Sequence, residues 1–277
     1  TSADLMGRGG LEQQYDQELR GRGGQRRLLV DARGQVSGTE QLQPAEPGLN
    51  LVTSISAPLQ AQVDQALTTA LATAGSADAR AGAVVLDVRT GRVLALGSKP
   101  DFSPAQWVGG ITEDDYERLS DSGALIDYPV SGTSPPGSAF KPISVIGMVR
   151  AGFDTGDDYD CPSSYSAGGR TFTNHESESY GSLSLSEALV VSCNTVFYRA
   201  ADRLWRSGGG EDQTSGELGP IASAATDLGL GAPTGIDVPG EAPGMVASPD
   251  QRYRLWQARK DAWCAAAASR YPQLRRT

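Results

Sequence analysis

The residues best placed to do chemistry lie in the stretch Ser134-Pro135-Pro136-Gly137-Ser138-Ala139-Phe140-Lys141-Pro142-Ile143. Two prolines and a glycine end whatever precedes them. The apolar run through Ile146 and Val149 to Gly152 then predicts a buried helix. Ser138 falls in its first turn, where unpaired N–H groups and the positive end of the dipole favour a developing alkoxide. Lys141 lies three residues on, on the same face, so its amine is expected to reach the Ser138 hydroxyl. Pro142 is tolerated because first-turn N–H groups have no partner inside the helix. The pair reads as a nucleophile and its base. A bare S-x-x-K also arises by chance about once in a chain of this length, and a capping Ser before a surface Lys is the plain alternative. Against that alternative, the chain has only three lysines, Lys99, Lys141 and Lys260, and the one in this motif opens an apolar helix.

A second chemical stretch runs from Ser184 to Tyr198 and contains Ser192-Cys193-Asn194. Ser184 and Glu187 form a capping box that starts a helix. On one continuous helix, positions two apart point roughly 200° away from each other, so Ser192 and Asn194 could not share a cleft. If both are functional, the helix must break near Ser192 and restart near Thr195. An uninterrupted amphipathic helix from Leu185 to Leu204 is the competing reading.

The elements that must carry these residues follow from the pattern. Residues 7–21 read as a short helix with Leu11, Tyr15 and Leu19 as its stripe. Leu28 to Asp31 and the segment around Val36 read as short strands, and residues 38–48 as a linker. Leu49 to Ser56 is expected as a strand and Pro58 to Ala74 as an amphipathic helix. Gly82 to Val88 and Val93 to Leu96, turned at Thr90-Gly91, are expected as a buried hairpin at the centre of a sheet. A short helix is expected near Glu113 to Leu119, and a polar, glycine-rich excursion over residues 154–182.

Composition narrows the classes. The 277 residues suffice for one large domain, or one medium domain with an appendage. A net charge of −9 without a basic stripe disfavours nucleic acid as a partner. No run approaches the ~18 apolar residues of a membrane span, and no signal peptide is evident. Cys161, Cys193 and Cys264 form no C-x-x-C, so neither a zinc knuckle nor a redox motif is signalled.

Taken together, Pro136-Gly137-Ser138-Ala139-Phe140-Lys141-Pro142 and Ser192-Cys193-Asn194, 54 residues apart, resemble the nucleophile and S-x-N motifs of class B penicillin-binding proteins. The chain is most similar to the elongation-type members, which are monofunctional D,D-transpeptidases of cell-wall synthesis. Gly10-Leu11-Glu12, Tyr15-Asp16 and Leu19-Arg20-Gly21 resemble the start of their pedestal. Phe102-Ser103-Pro104, Val108-Gly109-Gly110-Ile111 and Thr234 to Glu241 resemble their transpeptidase domain. The third motif, K-[ST]-G on the edge strand, is absent from this sequence. The expectation is therefore a chain truncated at both ends and inactive alone, lacking the membrane anchor and the last part of the catalytic domain.

The resemblance implies an α+β, penicillin-binding/serine-β-lactamase-like transpeptidase fold, with a central antiparallel sheet flanked by helices, incomplete here. Residues 1–48 would be the remnant of a pedestal (dimerisation-type) domain and linker, and 49–277 the first part of the transpeptidase domain. By the same resemblance Ser138 attacks the D-alanyl-D-alanine carbonyl of a peptidoglycan stem peptide and Lys141 is the general base. Ser192 relays the proton to the leaving D-alanine, and Asn194 holds Lys141 and the substrate amide. The Ser138 N–H would be one oxyanion donor. β-Lactam antibiotics would acylate Ser138. A membrane glycosyltransferase of the elongation machinery would be a partner, the location the extracytoplasmic side of the cell membrane, and no cofactor is expected. A β-lactam sensor or a serine β-lactamase shares the fold but would lack the pedestal.

Some elongation-type relatives hold a structural zinc through Asp, Asp, His and Cys. Asp160 and Cys193 resemble two of those ligands, while Asn174 and Tyr180 occupy the other positions, which makes a metal only a weak possibility. A Cys161–Cys193 disulfide and free buried thiols are the other readings, and all three stay open. His175 is expected at the surface, and Trp256 and Trp263 as helix-face packing.

Overall fold

The computed structural model describes residues 6–76, 79–210 and 218–270. They form two compact units, one of the described residues up to 133 with 235–242, the other of those from 134 to 234 with 243–270.

In the first unit the expected helix over residues 7–21 is instead two short pieces, α1 (Gly10–Gln14) and α2 (Asp16–Arg20), broken at Tyr15 with φ −111° and ψ 25°. Side-chain bonds accompany the break. The Tyr15 hydroxyl donates to Asp237, and the Asp16 carboxylate accepts the Gly7 N–H. Strands β1 (Gln25–Val30) and β2 (Val36–Gln43) pair antiparallel with Leu28 opposite Thr39. The Asp31 carboxylate closes their turn by accepting the Arg33 and Gln35 N–H groups. The linker expected over 38–48 is thus half strand, because ladder bonds to β1 override a composition rich in Gln and Gly. The strand expected over Leu49 to Ser56 does not form. Its ends are tied singly, Leu49 N–H to the Glu18 carbonyl and Ser56 N–H to the Leu94 carbonyl, with no ladder partner between.

Helix α3 (Ala57–Ala74) begins with Pro58 in its first turn and stops at Gly75 in the left-handed conformation. Its Val63 and Leu67 lie so close to Gly97 that an added Cβ would meet them at 2.6–2.7 Å. Gln60 bonds both the N–H and the carbonyl of Leu96. These contacts seat α3 on the antiparallel hairpin β3 (Ala81–Leu86) and β4 (Val93–Lys99). The hairpin is not buried on both faces as expected. Ala95 is fully covered, but Val84 and Leu86 are 45% and 52% exposed. Among the described residues this sheet has two strands, and the face of β3 carrying Val84 and Leu86 is covered only toward Gly82, by Tyr128 and Pro129. Helices α4 (Glu113–Ser122), capped by Thr112, and α5 (Tyr128–Ser131) complete the unit.

In the second unit a 3-10 turn, Gly137–Phe140, leads into α6 (Lys141–Arg150). The polar excursion folds into strands β5 (Tyr159–Cys161), β6 (Ser164–Ala167), β7 (Arg170–Thr173) and β8 (Gly181–Leu183), with β5 paired to β8 and β6 to β7. Helices α7 (Leu185–Val190), α8 (Asn194–Ser207), α9 (Gly219–Asp227) and α10 (Pro249–Arg270) follow. The core is Met148, Leu185, Ala188, Val196, Phe197 and Ala200, closed by Cys161 and Cys193. α6 and α9 approach so closely that a Cβ on Gly147 would fall 2.6 Å from the Ile221 Cα. The 22-residue α10 is mostly exposed, with Trp256 and Trp263 each nearly half accessible, so the packing expected of them is partial.

Candidate active site

Ser138 and Lys141 come from one local device. Gly137, in the left-handed conformation, turns the chain after Pro135-Pro136, so Ser138 stands exposed in the 3-10 turn while Lys141 begins the α-helix. Ser192 and Asn194 come from another. As predicted, the helix breaks between Val190 and Asn194, and Ser192 takes φ 55° at the break. A serine in this region carries backbone strain, a cost typical of functional positions. The break brings Ser192 and Asn194 to the same side, facing α6.

The four residues meet in one chain of hydrogen bonds. Lys141 Nζ donates to the Ser192 carbonyl at 2.6 Å, to Ser192 Oγ at 2.8 Å and to Asn194 Oδ1 at 2.6 Å. These use its three donors. Ser192 Oγ in turn bonds Ser138 Oγ at 2.9 Å. The direct bond expected between Lys141 and Ser138 is replaced by this path through Ser192, since the amine already has three short partners. Lys141 is 8% exposed, and its burial lowers its pKa from the ordinary lysine value. The Phe197 ring lies 5.4 Å from the ammonium. A cavity of about 790 Å³ opens beside Ser138, Lys141 and Asn194 and continues between apolar residues that include Phe197, Leu204 and Ile221.

Neighbours not singled out in the sequence support the site. Asn194 Nδ2 donates to the Thr173 carbonyl at 3.2 Å, so the end of β7 orients the amide whose oxygen meets Lys141. Phe172 packs on Tyr198 with ring centroids 4.8 Å apart, and the Tyr165 hydroxyl donates to Asp202, which holds the β6–β7 hairpin on α8. Only the aromatic residues of that hairpin carry a signal in the sequence, and it is a packing signal.

Cys161 and Cys193 are joined as a disulfide, both fully buried. That decides among the three readings left open. In this arrangement Cys193 is held in the bridge, and Asp160, the other residue of the weak metal possibility, faces Arg199 at 3.5 Å. Cys264 is exposed and unpaired by disulfide, and His175 is at the surface. Without reductant, one thiol per chain is expected to titrate. Replacing both Cys161 and Cys193 by Ser should lower unfolding stability by roughly 3–4 kcal/mol for a bridge of this separation, read from the urea midpoint. Two or more free thiols in the unreduced protein would contradict the pairing.

Apart from this geometry, the chain is similar in sequence and fold to known proteins. The family model described as the penicillin binding protein transpeptidase domain matches residues 81–258, and the one described as the penicillin-binding protein dimerisation domain matches residues 1–53. The chain belongs to the penicillin-binding protein transpeptidase family. It is a class B member similar to the peptidoglycan D,D-transpeptidase MrdA. The MrdA of Acinetobacter baumannii is 30% identical over 271 residues, covering 95% of this chain and 36% of that protein. The crystal structure of PBP2 of Pseudomonas aeruginosa is 28% identical with a TM-score of 0.65, covering 92% of this chain and 49% of that one. A structure of a peptidoglycan synthase complex, described as coordinating polymerization and crosslinking, matches at 27% identity and TM-score 0.65, over 91% and 43%. The chain thus spans a little over a third of the length of the curated relatives it matches.

Proposed function

We propose that this chain carries the nucleophile half of a peptidoglycan D,D-transpeptidase site, with Ser138 as nucleophile, Lys141 as base, Ser192 as proton relay and Asn194 as the group that orients Lys141 and the substrate amide. The observation that carries this reading is the continuous hydrogen-bond path Ser138–Ser192–Lys141–Asn194. A lysine kept from water by burial reaches its neutral form more readily. The neutral amine takes the Ser192 proton as Ser192 takes that of Ser138, and the Ser138 oxygen attacks the carbonyl between the last two D-alanines of a stem peptide. The tetrahedral intermediate expels D-alanine, whose amine receives the proton back through Ser192. An amine of a second stem peptide then attacks the ester, forming the cross-link and releasing Ser138. A β-lactam imitates the D-alanyl-D-alanine end and stays on Ser138.

In this reading residues 1–48 belong to the pedestal and the rest to the catalytic domain. The protein works at the extracytoplasmic face of the cell membrane beside a membrane glycosyltransferase. The likeness to a synthase complex in which polymerization and crosslinking are coordinated supports that partner. Among the described residues no helix is long and apolar enough to cross a membrane. The sequence has no K-[ST]-G, so the test uses both this chain and a form extended through that motif. After incubation with penicillin, the peptide containing Ser138 is expected to gain the mass of one penicilloyl group in the extended form. Absence of the adduct from both forms would overturn the assignment.

A further inference from the structure

The start of α8 carries Asn194, yet it has no cap of its own. Its N-cap residue is Cys193, which makes no side-chain capping bond. The N–H of Thr195, in the first turn, has no partner within the helix. It is taken instead by Asn174 Oδ1 at 3.0 Å, from 21 residues away. The other end of the Asn174 amide donates to the Pro162 carbonyl at 2.9 Å and the Glu178 carbonyl at 2.8 Å. Thr195 Oγ1 also donates to the Pro162 carbonyl, at 2.9 Å. Asn174 is 5% exposed and Thr195 fully buried, so these bonds face little competition from water. The neighbouring Thr173 carbonyl accepts from Asn194 Nδ2. Two consecutive residues, Thr173 and Asn174, therefore grip two consecutive residues, Asn194 and Thr195.

We infer that Asn174 is a positioning residue for acylation at Ser138, supplying from β7's end the cap that fixes Asn194 against Lys141. The inference rests on the reading of Ser138 as nucleophile. Without the Asn174 amide, the Thr195 N–H and the Glu178 carbonyl lose these partners, and the Pro162 carbonyl keeps only Thr195 Oγ1. The first turn of α8 then moves to find others, and Asn194 Oδ1 leaves the amine it meets at 2.6 Å. A shift of about 1 Å in such a group costs on the order of 100-fold in rate.

The experiment measures penicillin acylation of the extended form by stopped flow, separating the non-covalent dissociation constant, the acylation rate constant and the final labelling stoichiometry. Asn174→Leu and Asn174→Ser both remove the bond to Thr195, and either one that folds suffices. Each is expected to lower the acylation rate constant about 10- to 100-fold, with the dissociation constant within about twofold and one label per chain at the end point. Asn174→Asp keeps an oxygen for the Thr195 N–H and should retain more of the rate than either. A purely structural role would lower the stoichiometry and leave the rate constant of the folded fraction unchanged, and that result would overturn the inference. So would a rate constant within twofold of the parent. Labelling that persists in Ser138→Ala would instead sink the nucleophile assignment, whatever the Asn174 variants do.

Discussion

In the form extended through K-[ST]-G, Ser138→Ala is expected to abolish covalent labelling by a fluorescent penicillin, with a loss too large to measure on a gel, and without unfolding the protein. Ser138 is exposed in a 3-10 turn, and its hydroxyl receives one bond, from Ser192 Oγ. Its removal leaves no large cavity and frees only that one donor toward solvent, so thermal stability should change by no more than about 0.5 kcal/mol. The chemistry, by contrast, loses its nucleophile. An Ala variant that still forms an adduct would place the reactive group elsewhere. Because the expected stability change is small, a melting temperature well below the parent's would instead indicate that the turn depends on the hydroxyl.

Lys141→Met should lower acylation by about 10²–10⁴-fold, the range for a positioned general base. The methionine keeps an apolar stem but leaves the Ser192 carbonyl, Ser192 Oγ and Asn194 Oδ1 without their shared donor. The pH profile gives the sharper reading. Only the neutral amine accepts a proton, so the parent's acylation rate rises with pH through the Lys141 pKa. Burial sets that pKa below the ordinary lysine value, so the limb falls at correspondingly lower pH. In the methionine variant this limb should vanish and leave a flat, low rate. A limb that survives at the same pH would assign it to another group.

The four site residues are legible because each carries its own local signal. Pro135-Pro136-Gly137 marks a turn, the apolar run after Lys141 marks a helix (only partly buried, with Ile146 and Val149 exposed), and the need for Ser192 and Asn194 to share a cleft demands a break. Less legible is the path between them. Spacing along α6 points Lys141 at Ser138, but the amine's partners come from a helix start some fifty residues later, and sequence periodicity carries no information about which acceptor lies nearer. Asn174 stands out in the sequence only through the resemblance to a ligand position noted above. Its bond to Thr195 joins the end of β7 to the first turn of α8, 21 residues apart, and has no local signature. In the first unit the departures have a similar origin. Leu49 to Ser56 has strand composition but no ladder partner, whereas residues 38–43 have linker composition and find one in β1. Tyr15 fits a helical stripe, yet the helix breaks at this residue and its hydroxyl bonds Asp237.

Ser192 sets a trap for protein engineering. At φ 55° its backbone suits glycine or asparagine. A procedure that chooses residues by backbone compatibility or melting temperature would therefore favour glycine there and gain ~1 kcal/mol from relieved strain. It would also delete the one hydroxyl that joins Ser138 to Lys141. Thermostable variants selected without an acylation assay would thus drift toward inert scaffolds at this position, where stability and reactivity ask for different side chains.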